Sequence, residues 1–188
     1  ETGVLLTVPD RFELETLSRA LLALVEKHDS LRTHFYREDN QWRAIVADAE
    51  QSEQCLLIEE FQVAAEQSDE GFYALVDQVT KKKKCQDLSA GRLVQAGFFE
   101  WIDKKYLLLS AHHLIVDVVS WEIMIDELND VLRNGASSDI QTASFGQWSN
   151  WIYSEPSLIE VQKEMAYWQQ IVNTCLLYTS DAADEVLG

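Results

Sequence analysis

The chain has 188 residues, 47% hydrophobic and 25% charged, which is enough apolar material to bury a core as one domain or one lobe of a larger one and argues against a disordered chain. Thirty-two acidic against fifteen basic residues give a formal charge of -17, a balance that repels phosphate backbones and anionic lipid and so argues against nucleic acid as a partner. No apolar run approaches the roughly 20 residues that span a bilayer. The start "ETGVLLTVPD" lacks a basic segment followed by an apolar one, so the chain is predicted to be soluble and cytoplasmic, with no membrane partner.

"VLLTV" (residues 4–8), closed by Pro9 and Asp10, predicts a buried strand. Leu14, Leu17, Leu21, Leu24 and Val25 recur at helical spacing and predict an amphipathic helix from about Asp10 to His28. "THFY" and "WRAIVA" around the polar "REDNQ" predict a hairpin, and "LLIEEFQV" another strand. Phe72, Leu75, Val76 and Val79 mark a second helix, ending in Lys81 to Lys84, where cations complement the helix C-terminus. "RLVQAGFFEW" and "KYLLLSAHH" flank "IDK" as a second hairpin, whose return strand carries two histidines to its end. Trp121, Met124, Ile125, Leu128 and Leu132 predict a third helix, broken by "RNGASSD". Two more helices are predicted around Pro156, the second with Leu158, Val161, Met165, Trp168 and Val172 along one face. These stripes and the six tryptophans are read as core.

Strands and helices interleave with hairpins among them, so the fold class is α/β or α+β with a mixed sheet. Cys55, Cys85 and Cys175 are odd in number and form no CxxC, which indicates neither a disulfide framework nor a zinc site. There is no internal repeat and no glycine-rich phosphate loop.

"SAHHLIVDVVSW" (residues 110–121) sets three ionisable groups in an apolar run. Neighbouring residues of an extended strand point to opposite faces, so His112 and His113 serve one site only if the strand breaks between them. A metal site would need that break and further ligands, and no metal is predicted. Two core histidines bonded to backbone are one reading, and a strand end presenting one imidazole to a cleft as general acid or base is the other. Asp117 is costly to bury alone, so it either caps the following helix or pairs with an arginine from elsewhere.

"AHHLIVDVVSW" resembles the HHxxxDG motif of the condensation superfamily of nonribosomal peptide synthetases, which has the chloramphenicol acetyltransferase-like fold. "LSRALLALVEKHDSLRTHF" is similar to the family's early helix with its HDxLR ending, "DLSAGRLVQAGFF" to a later segment, and "ASFGQWSNWIYSEPSLIEVQKEMAYW" to the stretch after the motif. "HHLIVDVVSWEIMIDEL" looks most like the epimerization-domain version. The resemblance implies one lobe of a two-lobed domain over residues 1–173, a missing C-terminal lobe, and an unrelated or disordered tail over residues 174–188.

It further implies His113 as the catalytic residue, with His112, Asp117 and Arg32 in support, Asp117 being paired with Arg32. Val118, Ser120 and Trp121 are expected to line the substrate channel, Val118 standing where the motif has glycine. The implied activity is epimerization of an aminoacyl or peptidyl thioester at its α-carbon, the substrate hanging on the phosphopantetheine of a peptidyl carrier protein. No cofactor is expected to be bound by this lobe itself. Amide-bond formation between carrier-bound donor and acceptor, or carrier docking without chemistry, are the alternatives.

Overall fold

The computed structural model describes residues 2–81, 88–135 and 143–175, in two units, Glu1–Ser144 and Phe145–Gly188. The first holds β1 (Thr2–Val8), α1 (Leu14–Lys27), β2 (Thr33–Glu38), β3 (Gln41–Val46), α2 (Ser52–Cys55), β4 (Leu56–Gln62), α3 (Asp69–Lys81), β5 (Val94–Trp101), β6 (Lys104–Ala111) and α4 (Val118–Asn134). The second holds α5 (Phe145–Ile152) and α6 (Glu155–Cys175).

Four strands form one sheet in the order β1-β6-β5-β4. β6 is antiparallel to both neighbours, with Ala111 opposite Thr2 of β1 and Val94 of β5, whereas β4 runs parallel to β5. The predicted mixed sheet is therefore present. The β5–β6 turn places Ile102 at φ 55, a left-handed backbone that a β-branched residue adopts only under strain. β2 and β3 form a separate hairpin whose turn residues Asp39 and Asn40 have φ 47 and 64, and successive positive values suit the right-handed twist of the strands.

The inner strands are buried on both faces, and their alternation sorts side chains into two cores. Leu107, Leu109 and Ala111 of β6 join Leu17, Leu21 and Leu24 of α1 and Trp121, Met124 and Leu128 of α4. Leu108 of β6 and Phe99 and Trp101 of β5 join Phe72, Val76 and Val79 of α3. In this second core Phe72 stacks on Trp101 at 4.5 Å and meets Phe99 edge-on at 5.9 Å, geometries that favour ring quadrupoles over simple contact.

α1 and α4 are also joined by charge. Glu127 of α4 accepts from Lys27 Nζ at 2.7 Å and contacts His28 Nε2 at 2.6 Å. Burial pushes the Glu127 pKa up, but hydrogen bonds from Lys27 and His28 and their charges together hold it below the ordinary carboxylate value. α4 ends cleanly because Gly135 takes φ 74, the left-handed cap, and donates its N–H to Val131 O at 2.8 Å.

Several expectations shift. α1 begins at Leu14, not Asp10, because the residues after β1 are held in a turn: Phe12 N–H donates to Pro9 O at 3.0 Å, and Lys105 Nζ donates to the carbonyls of Asp10 and Phe12. The short α2 carries too few residues to show periodicity. α3 reaches Lys81, and the rest of the lysine run lies outside the described residues, as does the tail from 176 on. α6 starts earlier than the apolar stripe, at Glu155, with Pro156 in its first turn, where a missing N–H costs nothing.

The reading of the tryptophans and the last stripe as core is corrected. Trp101 and Trp121 are buried, but Trp42, Trp148, Trp151 and Trp168 are more than half exposed, and so are Val161 and Val172. Among the described residues the second unit is a helix pair, without a third element of its own to close over both apolar faces. Among the described residues no helix is long and apolar enough to cross a membrane.

Phe72→Ala removes a fully buried ring from the second core and should cost about 3–5 kcal/mol of unfolding free energy, read from denaturant midpoints. The exposed Tyr73→Ala, one residue on, should cost well under half of that.

Candidate functional site

The histidines sit where β6 leaves the sheet. Pairing with β1 and β5 runs to Ala111, and the His112 N–H then donates to Leu93 O at 2.9 Å. The Ile115 N–H bonds back to His112 O at 3.0 Å, closing a turn over His112–Ile115. The chain therefore bends between strand end and helix start, and the two rings part: His112 is half-buried and His113 exposed.

The backbone gives the two rings opposite tautomers. His113 Nδ1 lies 2.7 Å from Val116 O, a carbonyl that can only accept, so this nitrogen carries the proton. In the neutral ring Nε2 then keeps its lone pair, the form a general base requires. His112 does the reverse, since its Nδ1 accepts from the Leu114 N–H at 3.1 Å and its proton lies on Nε2.

Asp117 is the N-cap of α4. Its Oδ1 accepts from Ser120 N and Ser120 Oγ, both at 2.7 Å, while the Asp117 N–H donates to Ser120 Oγ at 3.2 Å, a reciprocal capping box. The Ser120 hydroxyl and amide, helped by the charge of His113, hold the Asp117 carboxyl below its ordinary pKa.

The expected Asp117–Arg32 pair is not formed. Arg32 is buried and donates Nε to Ala47 O at 3.0 Å and Nη1 to Val25 O at 2.7 Å and to Glu26 O. These carbonyls include those of the last turn of α1, which no helical N–H reaches. Asp117 is meanwhile exposed and occupied by Ser120. Each ion is satisfied separately, so the cost that would have driven them together is absent.

The three residues expected on a substrate channel are placed differently from one another. Val118 opens α4 and is 73% exposed. It is not among the described non-glycine residues with positive φ, so the freedom of glycine is not needed for this backbone. Its side chain nevertheless stands out where glycine would leave space. Ser120 is engaged in the cap, and Trp121 is buried in the first core with its indole N–H on Thr2 Oγ1 at 2.9 Å.

A pocket of about 190 Å³ lies behind the motif, lined by His28 at the end of α1, by Leu31 of the turn that follows, by Val116 of the loop, and by Ser120 and Glu127 of α4, but by neither motif histidine. Sequence reasoning did not single out His28 or Glu127. One precedes a turn and the other shares its helix with several carboxylates, and only the crossing of α1 with α4 joins them. Among the described residues no three His, Cys, Asp or Glu side chains are grouped to hold a metal ion.

The sign of the Asp117 shift fixes a pH dependence. A carboxylate whose folded pKa is depressed adds stability fully above the unfolded value, near pH ~3.9, and loses it as pH falls through the folded value. Asp117→Ala should therefore lower the melting temperature most at pH 6–7, with the gap from the parent closing toward pH ~3. A gap that widened in acid would contradict the cap.

A sequence profile described as "Condensation domain" matches residues 2–183. A nonribosomal peptide synthetase, vlms of Lecanicillium sp., is 34% identical over 146 residues, 78% of this chain and 2% of the relative. A plipastatin synthase polypeptide of Bacillus subtilis (strain 168) is 27% identical over 176 residues, 91% of this chain and 7% of the relative. Among solved structures, the epimerization domain from the third module of tyrocidine synthetase B superimposes with a TM-score of 0.78 at 25% identity, over 95% of this chain and 41% of that one. The first condensation domain of the calcium-dependent antibiotic synthetase, in complex with a substrate analogue, does so at 0.69 and 16% identity, over 93% and 42%. The chain thus spans about two fifths of these solved chains, shares their chloramphenicol acetyltransferase-like fold, and belongs to the condensation domain family of nonribosomal peptide synthetases.

Proposed function

We propose that this chain is the histidine-bearing lobe of an epimerization domain, acting on an aminoacyl or peptidyl thioester carried on the phosphopantetheine of a carrier protein. The observation that carries the reading is the His113 tautomer, with Nδ1–H tied to Val116 O and Nε2 left as a base on an exposed ring. A thioester acidifies the adjacent α-carbon. His113 Nε2 takes the α-proton, the electron pair moves into the thioester carbonyl, and a proton returned to the opposite face completes inversion.

Inversion needs a second proton carrier, which this reading assigns to the complementary lobe of the domain. Supporting the choice of epimerization are the "HHLIVDVVSW" wording of the motif and the likeness to the tyrocidine synthetase epimerization domain. Val118 sets a limit, because a branched side chain replaces glycine at the first residue of α4, where the pantetheine arm is read to approach.

The test joins this chain to the complementary lobe of a related epimerization domain and supplies an aminoacyl-carrier thioester in D₂O. Epimerization predicts single-deuterium uptake at the α-carbon and loss of stereochemical purity, whereas amide formation predicts neither and needs an acceptor amine. Val118→Gly should raise exchange, by up to 10²-fold if the valine displaces the α-carbon by ~1 Å. His113→Ala in that background should lower it by about 10²-fold or more. His112→Ala should act through stability, since its ring nitrogen receives a backbone N–H. Exchange undiminished by His113→Ala would remove His113 from the chemistry.

A further inference from the structure

Beside Leu107 of β6, five residues before His112, lies a second pocket of about 250 Å³. It is walled by the end of β1, the turn that follows, α1, β6 and the second half of α4. Its floor is aliphatic, with Leu17, Leu107 and Leu128, and its polar groups include Arg11, Arg133 and Asn129. No lining residue is acidic, in a chain whose formal charge is -17.

Neither arginine has an ion pair or hydrogen bond among the described residues. The nearest acids in sequence, Asp10 and Asp130, do not line the pocket. Arg11 has its guanidinium 4.6 Å over the Phe12 ring, a contact that holds it by its face. The turn bearing it is fixed by Lys105, which donates to the carbonyls of Asp10 and Phe12 at 3.2 Å each and pairs with Glu13 at 3.1 Å. Arg133 lies in the last turn of α4.

We propose that this pocket binds a soluble monocarboxylate with an apolar chain, its head between Arg11 and Arg133 and its chain on the leucine floor. A guanidinium offers the planar fork that matches a carboxylate. A singly charged head suits the greasy wall better than a doubly charged phosphate ester, whose desolvation costs more. The volume exceeds the roughly 150 Å³ apolar cavity that takes up benzene, so a chain of several carbons fits. The site is distinct from the histidine motif and does not depend on its chemistry.

Calorimetric titration of the whole chain at pH 7 with octanoate, octan-1-ol and acetate tests this. Octanoate should bind saturably at one site, with octan-1-ol and acetate each weaker by about tenfold or more, since one lacks the charge and the other the chain. Arg11→Gln and Arg133→Gln should each weaken octanoate by about tenfold with melting temperatures unchanged, both side chains being exposed. Octan-1-ol binding as tightly as octanoate would overturn the proposal. So would octanoate affinity untouched in both arginine variants, or no saturable heat with octanoate at all.

Discussion

Burial of the β5–β6 hairpin on both faces is the constraint from which the rest of the first unit follows. Neighbouring residues Leu107, Leu108 and Leu109 all lie within 3% of full burial, so neither face of the strand can turn to solvent without exposing a leucine. Both faces then need covers. α1 and α4 supply one and α3 the other, which makes the sheet the middle layer of the unit. A strand so pinned has a fixed end, and the point at which its ladder stops determines where the motif begins.

The elements with a clear period were legible in the sequence. The α1 and α4 stripes and both hairpins fall where alternation and turn residues put them, because burial on one face writes itself into every third, fourth or second residue. Fates that depend on a distant partner were not legible. Trp121 and Trp168 look alike in a helical stripe, yet the first meets β1 and β6 while the second stays open. The same limit applied to Arg32. The family resemblance implied a carboxylate partner for it, but that it would be met by main-chain carbonyls depended on where the last turn of α1 ends.

The sequence marked both histidines as candidates and offered either a helix cap or an arginine as the partner of Asp117. What compensates it is local, a serine three residues on. A local bond forms as soon as the helix nucleates, whereas a cation from β2's entrance would have to be brought across the fold. The short-range solution leaves Arg32 free to close the end of α1, and thus two residues expected to be coupled stabilise different helices.

The orientation of His113 rests on Val116 O, a main-chain group. Side-chain replacement at position 116 leaves that oxygen in place, so the ring's tautomer is insensitive to what residue stands there. It is sensitive instead to chain length. Lengthening or shortening the stretch from Leu114 to Val116 by one residue would swing the carbonyl away while preserving every ionisable group of the motif. The ring's orientation is in that sense written in the count of peptide units between strand and helix, and two chains with the same histidines and aspartate but different counts would not hold the same tautomer.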